Sequence, residues 1–218
     1  MTMTRAEEMT TGVPGQAPAP AEWELLDRRQ MVELCVPGAA IGLLGGLIAG
    51  GLAATGGLSL GLSLFSALTL GLPLAAVGAF YEILLARGRA PLGPLTPAAM
   101  LWAVGFPVAR ILHAALISLY AGESVAVPNG WAAFIVYNIL LSVPYAIGFW
   151  WMHENFAPRW WMYIADRNPV AAQYMNILVS SVRERQRHMP QGGLKGMPGM
   201  QERRLRRREE RRQRRGGH

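Results

Sequence analysis

Charge is scarce through most of this chain. Between Val36 and Met152 the only Asp, Glu, Lys or Arg residues are Glu82, Arg87, Arg89, Arg110 and Glu123. A soluble domain carries about 25% charged residues spread over its surface, whereas this chain carries 16%, gathered at its ends. That distribution excludes an ordinary water-soluble domain. Cysteine is almost absent as well. Cys35 stands alone, so an internal disulfide framework is excluded and no cysteine cluster can hold a metal. The opening segment does not read as a signal peptide. Met1 to Asp27 is acidic and Pro-rich instead of a basic stub followed by an apolar run, so the first apolar stretch is expected to act as an uncleaved anchor.

Catalytic signatures are missing too. There is no phosphate loop, dinucleotide fingerprint or nucleophile elbow. His153-Glu154 forms half of a helical zinc-protease motif, but position 157 is Ala where the second His belongs. His113 falls in mid-span and His153 at a span's edge, which does not suit two ligands on one haem iron. No catalytic residue, no metal and no cofactor is therefore expected.

Four long apolar stretches dominate the rest, in a chain that is 51% hydrophobic. They lie at about 36–54, 60–85, 98–120 and 131–151, and about 20 apolar residues suffice to cross a bilayer. The expected fold is an all-α integral membrane protein, a four-transmembrane-helix bundle. Residues 1–21 read as a disordered tail, 22–187 as the membrane domain with its flanking interfacial helices, and 188–218 as a disordered Arg-rich tail. Trp23, Leu25, Leu26 and Met31 alternate with charges before the first span, which suits either a short interfacial helix or a polar extension of that span. Asn168-Pro169 is a helix-start signature, and a short amphipathic cytoplasmic helix is expected from Pro169 to about Arg187.

Small residues recur on the first two spans. Gly38, Gly42, Gly46 and Gly50 are spaced by four, as are Ala67, Gly71, Ala75 and Ala79. Lipid gives helices no hydrophobic reason to associate, so close backbone approach across small residues replaces it. The Gly56-Gly57 turn makes the two spans a hairpin, and the two rows are expected to face each other. Pro73, Pro107 and Pro144 are expected to bend spans two, three and four.

Lys and Arg fix the expected orientation. Arg28 and Arg29 precede span one, Arg87 and Arg89 separate spans two and three, and Arg159, Arg167 and the tail follow span four. The other two connections carry neither. Both termini are thus expected in the cytoplasm, with the protein in the cell membrane.

Two intramembrane charges call for partners. Glu82 comes one turn before the end of span two and Arg110 lies deep in span three. Arg110 is the first candidate partner, although straight helices would put the two at depths differing by about 13 Å; Arg87 and Arg89 are the alternatives. Arg110, His113, Tyr137 and Asn138 fall at comparable depth and, with Glu82, form the candidate polar cluster. It reads as a packing core, a substrate or proton path, or a contact with another subunit.

Thirteen Lys and Arg against four Glu from Arg183 onward place the chain's net charge of +7 in its tail. Arg203, Arg204, Arg206, Arg207, Arg208, Arg211 and Arg212 are expected to touch anionic lipid headgroups. Interleaved aromatics are lacking, so nucleic acid is not the expected partner. The expected partners are the bilayer itself and another membrane protein or a second copy. The leading function is a non-catalytic accessory or assembly subunit of a membrane complex. The alternatives are a small transporter or channel for an anionic or protonatable solute, and an intramembrane lipid-modifying enzyme.

Overall fold

Helix boundaries follow local capping chemistry. In the computed structural model, which describes residues 23–125, 127 and 130–188, the first helix starts at a capping box. The Asp27 side chain accepts from the Gln30 N–H at 2.7 Å, and the Gln30 side chain accepts from the Asp27 N–H at 3.0 Å. Helix α1 then runs Arg28–Thr55. The residues before the first span are thus a polar extension of it, begun at Arg28 and continuous through Val36. Helix α2 runs Leu60–Ala86 from a Ser59 cap. Helix α3 runs Leu95–Ala121 and stops at Gly122, whose φ of 71° is the left-handed geometry that favours glycine.

Helix α4 runs Gly130–Ile164, well past the span boundary expected at 151. Its continuation is held by tertiary contact. His153, Ala157, Trp161 and Ile164 share one face, all at most 2% exposed, and cover the start of helix α5, Pro169–His188. Asn168 caps α5, its side-chain oxygen accepting the Ala171 N–H at 3.2 Å. Val170, Ala171 and Tyr174 on its first turns are fully buried. The chain divides into two compact units between Leu178 and Val179, inside α5, and the bundle is the first of them.

Four helices, α1 to α4, are long and apolar enough to cross a membrane. Each of 27 residues or more reaches about 40 Å, against a hydrocarbon core of about 30 Å. The helices pack on one another in chain order and α4 closes the ring against α1. The α1–α2 contact is the tightest. A Cβ on Gly38 would run into the Gly78 carbonyl, one on Gly42 into the Leu74 backbone, and one on Gly46 into the Gly71 backbone. A Cβ on Gly50 would lie 2.5 Å from the Ala67 methyl. Ala75 is buried in the same seam. At its basic end the closest approach is made by Gly78; Ala79 instead offers its carbonyl to the Cys35 thiol at 3.5 Å.

Candidate functional site

The ionisable groups inside the bundle fall into two layers. Glu82 and Thr69 mark them on α2, thirteen residues and so about 20 Å apart along the helix.

The first layer lies at the end where α1 begins and α2 ends. Glu82 is fully buried, and its Oε1 accepts from the Gly38 N–H at 3.0 Å. His153 Nε2 lies 2.9 Å from the same oxygen. Glu82 and His153 thus form a buried acid–imidazole pair joined by a single hydrogen bond. Aromatic rings enclose the pair. Tyr81 stands edge-on to His153 at 5.2 Å between centroids, Phe149 stacks on it at 5.8 Å, and Trp161 meets it at 5.7 Å. Trp161 in turn contacts Tyr174 of α5 at 4.7 Å. Glu82 Oε2, His153 Nδ1, Trp161 Nε1 and the Tyr174 hydroxyl are buried with no hydrogen bond among the described residues. Burial pushes the Tyr174 phenol well above its ordinary range, so it remains an O–H donor.

Above this layer the α4–α5 connection is clasped to the start of α1. Gln30 donates to the Arg167 carbonyl at 2.7 Å, and Asn168 donates to the Gln30 carbonyl at 2.9 Å. Arg167 donates to Glu33 at 3.0 Å, a charge-assisted bond that holds the Arg167 guanidinium above its usual range. Pro37 has no N–H, so it leaves the Glu33 carbonyl without its helical donor. The Trp160 indole fills that vacancy at 2.7 Å.

The second layer lies nearer the opposite end. Arg110 Nε donates to Asn138 Oδ1 at 3.3 Å, and the fully buried Asn138 passes its own amide to the Phe134 carbonyl at 2.8 Å. His113 Nδ1 lies 2.9 Å from the Thr69 hydroxyl, which is also 2.9 Å from the Phe65 carbonyl. Among the described residues no carboxylate pairs with Arg110.

The five residues expected to form one cluster are therefore separated. Glu82 pairs with His153 and not with Arg110, Arg87 or Arg89. Glu82 lies about 6 Å from the end of α2, and Arg110 about 22 Å from the start of α3. Pro73 and Pro107 lie inside continuous helices, and Arg110 reaches Asn138 instead of Glu82. Arg87 instead lies over the Trp23 ring at 4.2 Å. Arg110, Asn138 and His113 do share a depth, but Tyr137 is 58% exposed on the outer surface. The sequence singled out His153 only as half of a zinc-protease motif and as a haem ligand, and its role as the partner of Glu82 was missed. Its signal was its spacing of four from Ala157 and eight from Trp161, a buried stripe continuing span four. The basic tail residues, Arg203 to Arg212, lie outside the described residues, as do residues 1–22.

No group of three or more His, Cys, Asp or Glu among the described residues could hold a metal ion. Outside the bundle, Leu47, Ile48, Leu72, Val104 and Leu140, from all four spanning helices, are each more than half exposed, which suits lipid and not water. Four such helices around buried polar layers define a multi-pass α-helical membrane protein. No family model, no curated protein and no solved structure matches the chain.

Proposed function

We propose that this protein is a non-catalytic accessory or assembly subunit of a larger complex in the cell membrane, with both termini in the cytoplasm. One observation carries the reading: Arg110 keeps its charge at every physiological pH, lies deep in α3, and has a neutral amide as its partner. A charge at that depth is costly without compensation. A carboxylate on a neighbouring transmembrane helix supplies it. The orientation rests on the arginines that flank the spans, Arg28, Arg29, Arg87, Arg89, Arg159 and Arg167, which fall at the end bearing the starts of α1 and α3.

The test is native mass of the protein extracted in mild detergent. Wild type is expected to run as a stoichiometric hetero-complex. Arg110→Ala is expected to release the partner while the isolated chain melts as before, because the Glu82–His153 layer is about 20 Å away. Arg110→Lys is expected to be partly tolerated, since Lys keeps the charge but not the planar fork. A wild-type protein that runs alone, with a mass indifferent to Arg110, would refute the proposal.

A second reading has a specific observation in its favour. His113 lies one turn from Arg110, and each meets an uncharged partner, Thr69 and Asn138. That pairing suits a small transporter for an anionic solute. In that case Arg110→Ala and His113→Ala would both leave assembly intact and abolish retention of the solute.

A further inference from the structure

Helices α1 and α4 touch at two levels and part between them. At the deeper level a Cβ on Gly45 would meet the Tyr145 hydroxyl at 2.8 Å. At the basic end Trp160 reaches the Glu33 carbonyl. Between these contacts runs a lateral cleft of about 320 Å³. Its two ends differ in chemistry. Ile41 and Leu44 of α1 face Trp151 and Met152 of α4 at the deep end, while Asn155 and Arg159 line the shallow end. Residues 151, 155 and 159 recur by four on one stripe of α4. The trough therefore passes from apolar to cationic over about 12 Å.

We propose that this cleft binds an acidic phospholipid, with an acyl chain along Ile41 and Leu44 and the phosphate against Arg159. The cleft opens on the lipid-facing surface of two spanning helices, so the medium outside its deep end is hydrocarbon. Arg159 is exposed and pairs with no carboxylate among the described residues. Glu33, whose carbonyl meets the neighbouring Trp160, is already engaged by Arg29 and Arg167. A guanidinium with free donors at the end of an apolar trough matches a phosphodiester. Selectivity follows from the headgroup. Phosphatidylcholine would bring a quaternary ammonium beside Arg159, whereas phosphatidylglycerol brings a net negative charge and no cation. An acidic peptide would set polar backbone against Leu44 and Ile41. The site is independent of the Arg-rich tail and of the proposed assembly role.

The experiment uses the full chain in phosphatidylcholine vesicles containing phosphatidylglycerol with a photoactivatable group midway along one acyl chain. Cross-linked residues are located by peptide mass spectrometry, so lipid held by the tail does not interfere. Label is expected to concentrate on residues 41–44 and 151–152, and to be competed by unlabelled phosphatidylglycerol but not by phosphatidylcholine. Arg159→Gln should cut labelling about fivefold, the ratio that about 1 kcal/mol per charge near the surface gives. Ala40→Phe, which fills the trough with a ring, should reduce labelling whatever the headgroup. Label spread evenly over Leu47, Leu72 and Val104, or labelling unmoved by Arg159→Gln, would overturn the proposal.

Discussion

Glu82 shows how one buried carboxylate organises its surroundings. It lies fully inside the bundle and takes a backbone amide from α1 and an imidazole from α4. Three helices thus meet on one oxygen. Removing one member of a buried pair leaves the other charge or dipole unpaired, which costs about 3–5 kcal/mol in folded proteins. His153→Ala is therefore expected to lower the detergent melting temperature strongly. Glu82→Gln should cost less, because the amide oxygen still accepts from Gly38 and His153. Replacing both at once, Glu82→Leu with His153→Phe, should recover much of the loss, since neither partner is then left unmatched. If His153→Ala melted with the wild type, the pair would have no part in holding the bundle. Only Glu82 was visible from the sequence as a residue needing a partner. His153 was not, because its burial comes from Tyr81 and Glu82 of α2 and from Phe149 and Trp161 of its own helix, neighbours that only the packing brings together.

The α1–α2 hairpin owes its tightness to where glycine sits, and the glycines are not equivalent. Gly38, Gly42 and Gly46 have no room for a Cβ, while Gly51 and Gly61 have nothing within 4 Å of one. Gly38→Ala is expected to destabilise by about 1–3 kcal/mol through forced separation of the backbones. Gly42→Leu and Gly46→Leu should be worse. Gly51→Ala and Gly61→Ala should be neutral or gain up to about 1 kcal/mol, because Ala is the better helix former. Thermal unfolding of the five variants side by side checks this, and equal melting of Gly38→Ala and Gly51→Ala would disprove it. Proline plays a complementary part in α1. Pro37 releases the Glu33 carbonyl, and α4 answers with Trp160. The bond ties a local interruption in one helix to the docking of another.

For the whole molecule, the four spanning helices alternate in direction, and one end collects Arg28, Arg29, Arg87, Arg89, Arg159 and Arg167. The opposite end has Glu123 as its only charge. If the basic end is cytoplasmic, cysteines at Leu58 and Ser124 should react with a membrane-impermeant thiol reagent applied to intact cells. A cysteine at Arg89 should react only after lysis. The native Cys35 is half-buried with its thiol on the Ala79 carbonyl, which favours a low background. Labelling at position 89 from outside would reverse the orientation.

Some of this was fixed by the sequence alone. Four apolar stretches of membrane length, glycines spaced by four and a one-sided distribution of arginine are local or periodic properties, so they can be counted without coordinates. The start at Asp27 was less legible, because the box has the usual Gln at its third position but opens on Asp and not on Ser or Thr. What the tertiary structure decided was pairing. Glu82 had three arginines within plausible reach along the chain and took a histidine seventy-one positions away. Arg110 took an amide from the next helix. The extension of α4 beyond 151 and the trough beside Arg159 likewise depend on how α1, α4 and α5 meet. Depth along a helix follows from residue number at 1.5 Å per step. Rotation about its axis and the choice of neighbour do not, and those two quantities determine which polar groups can touch.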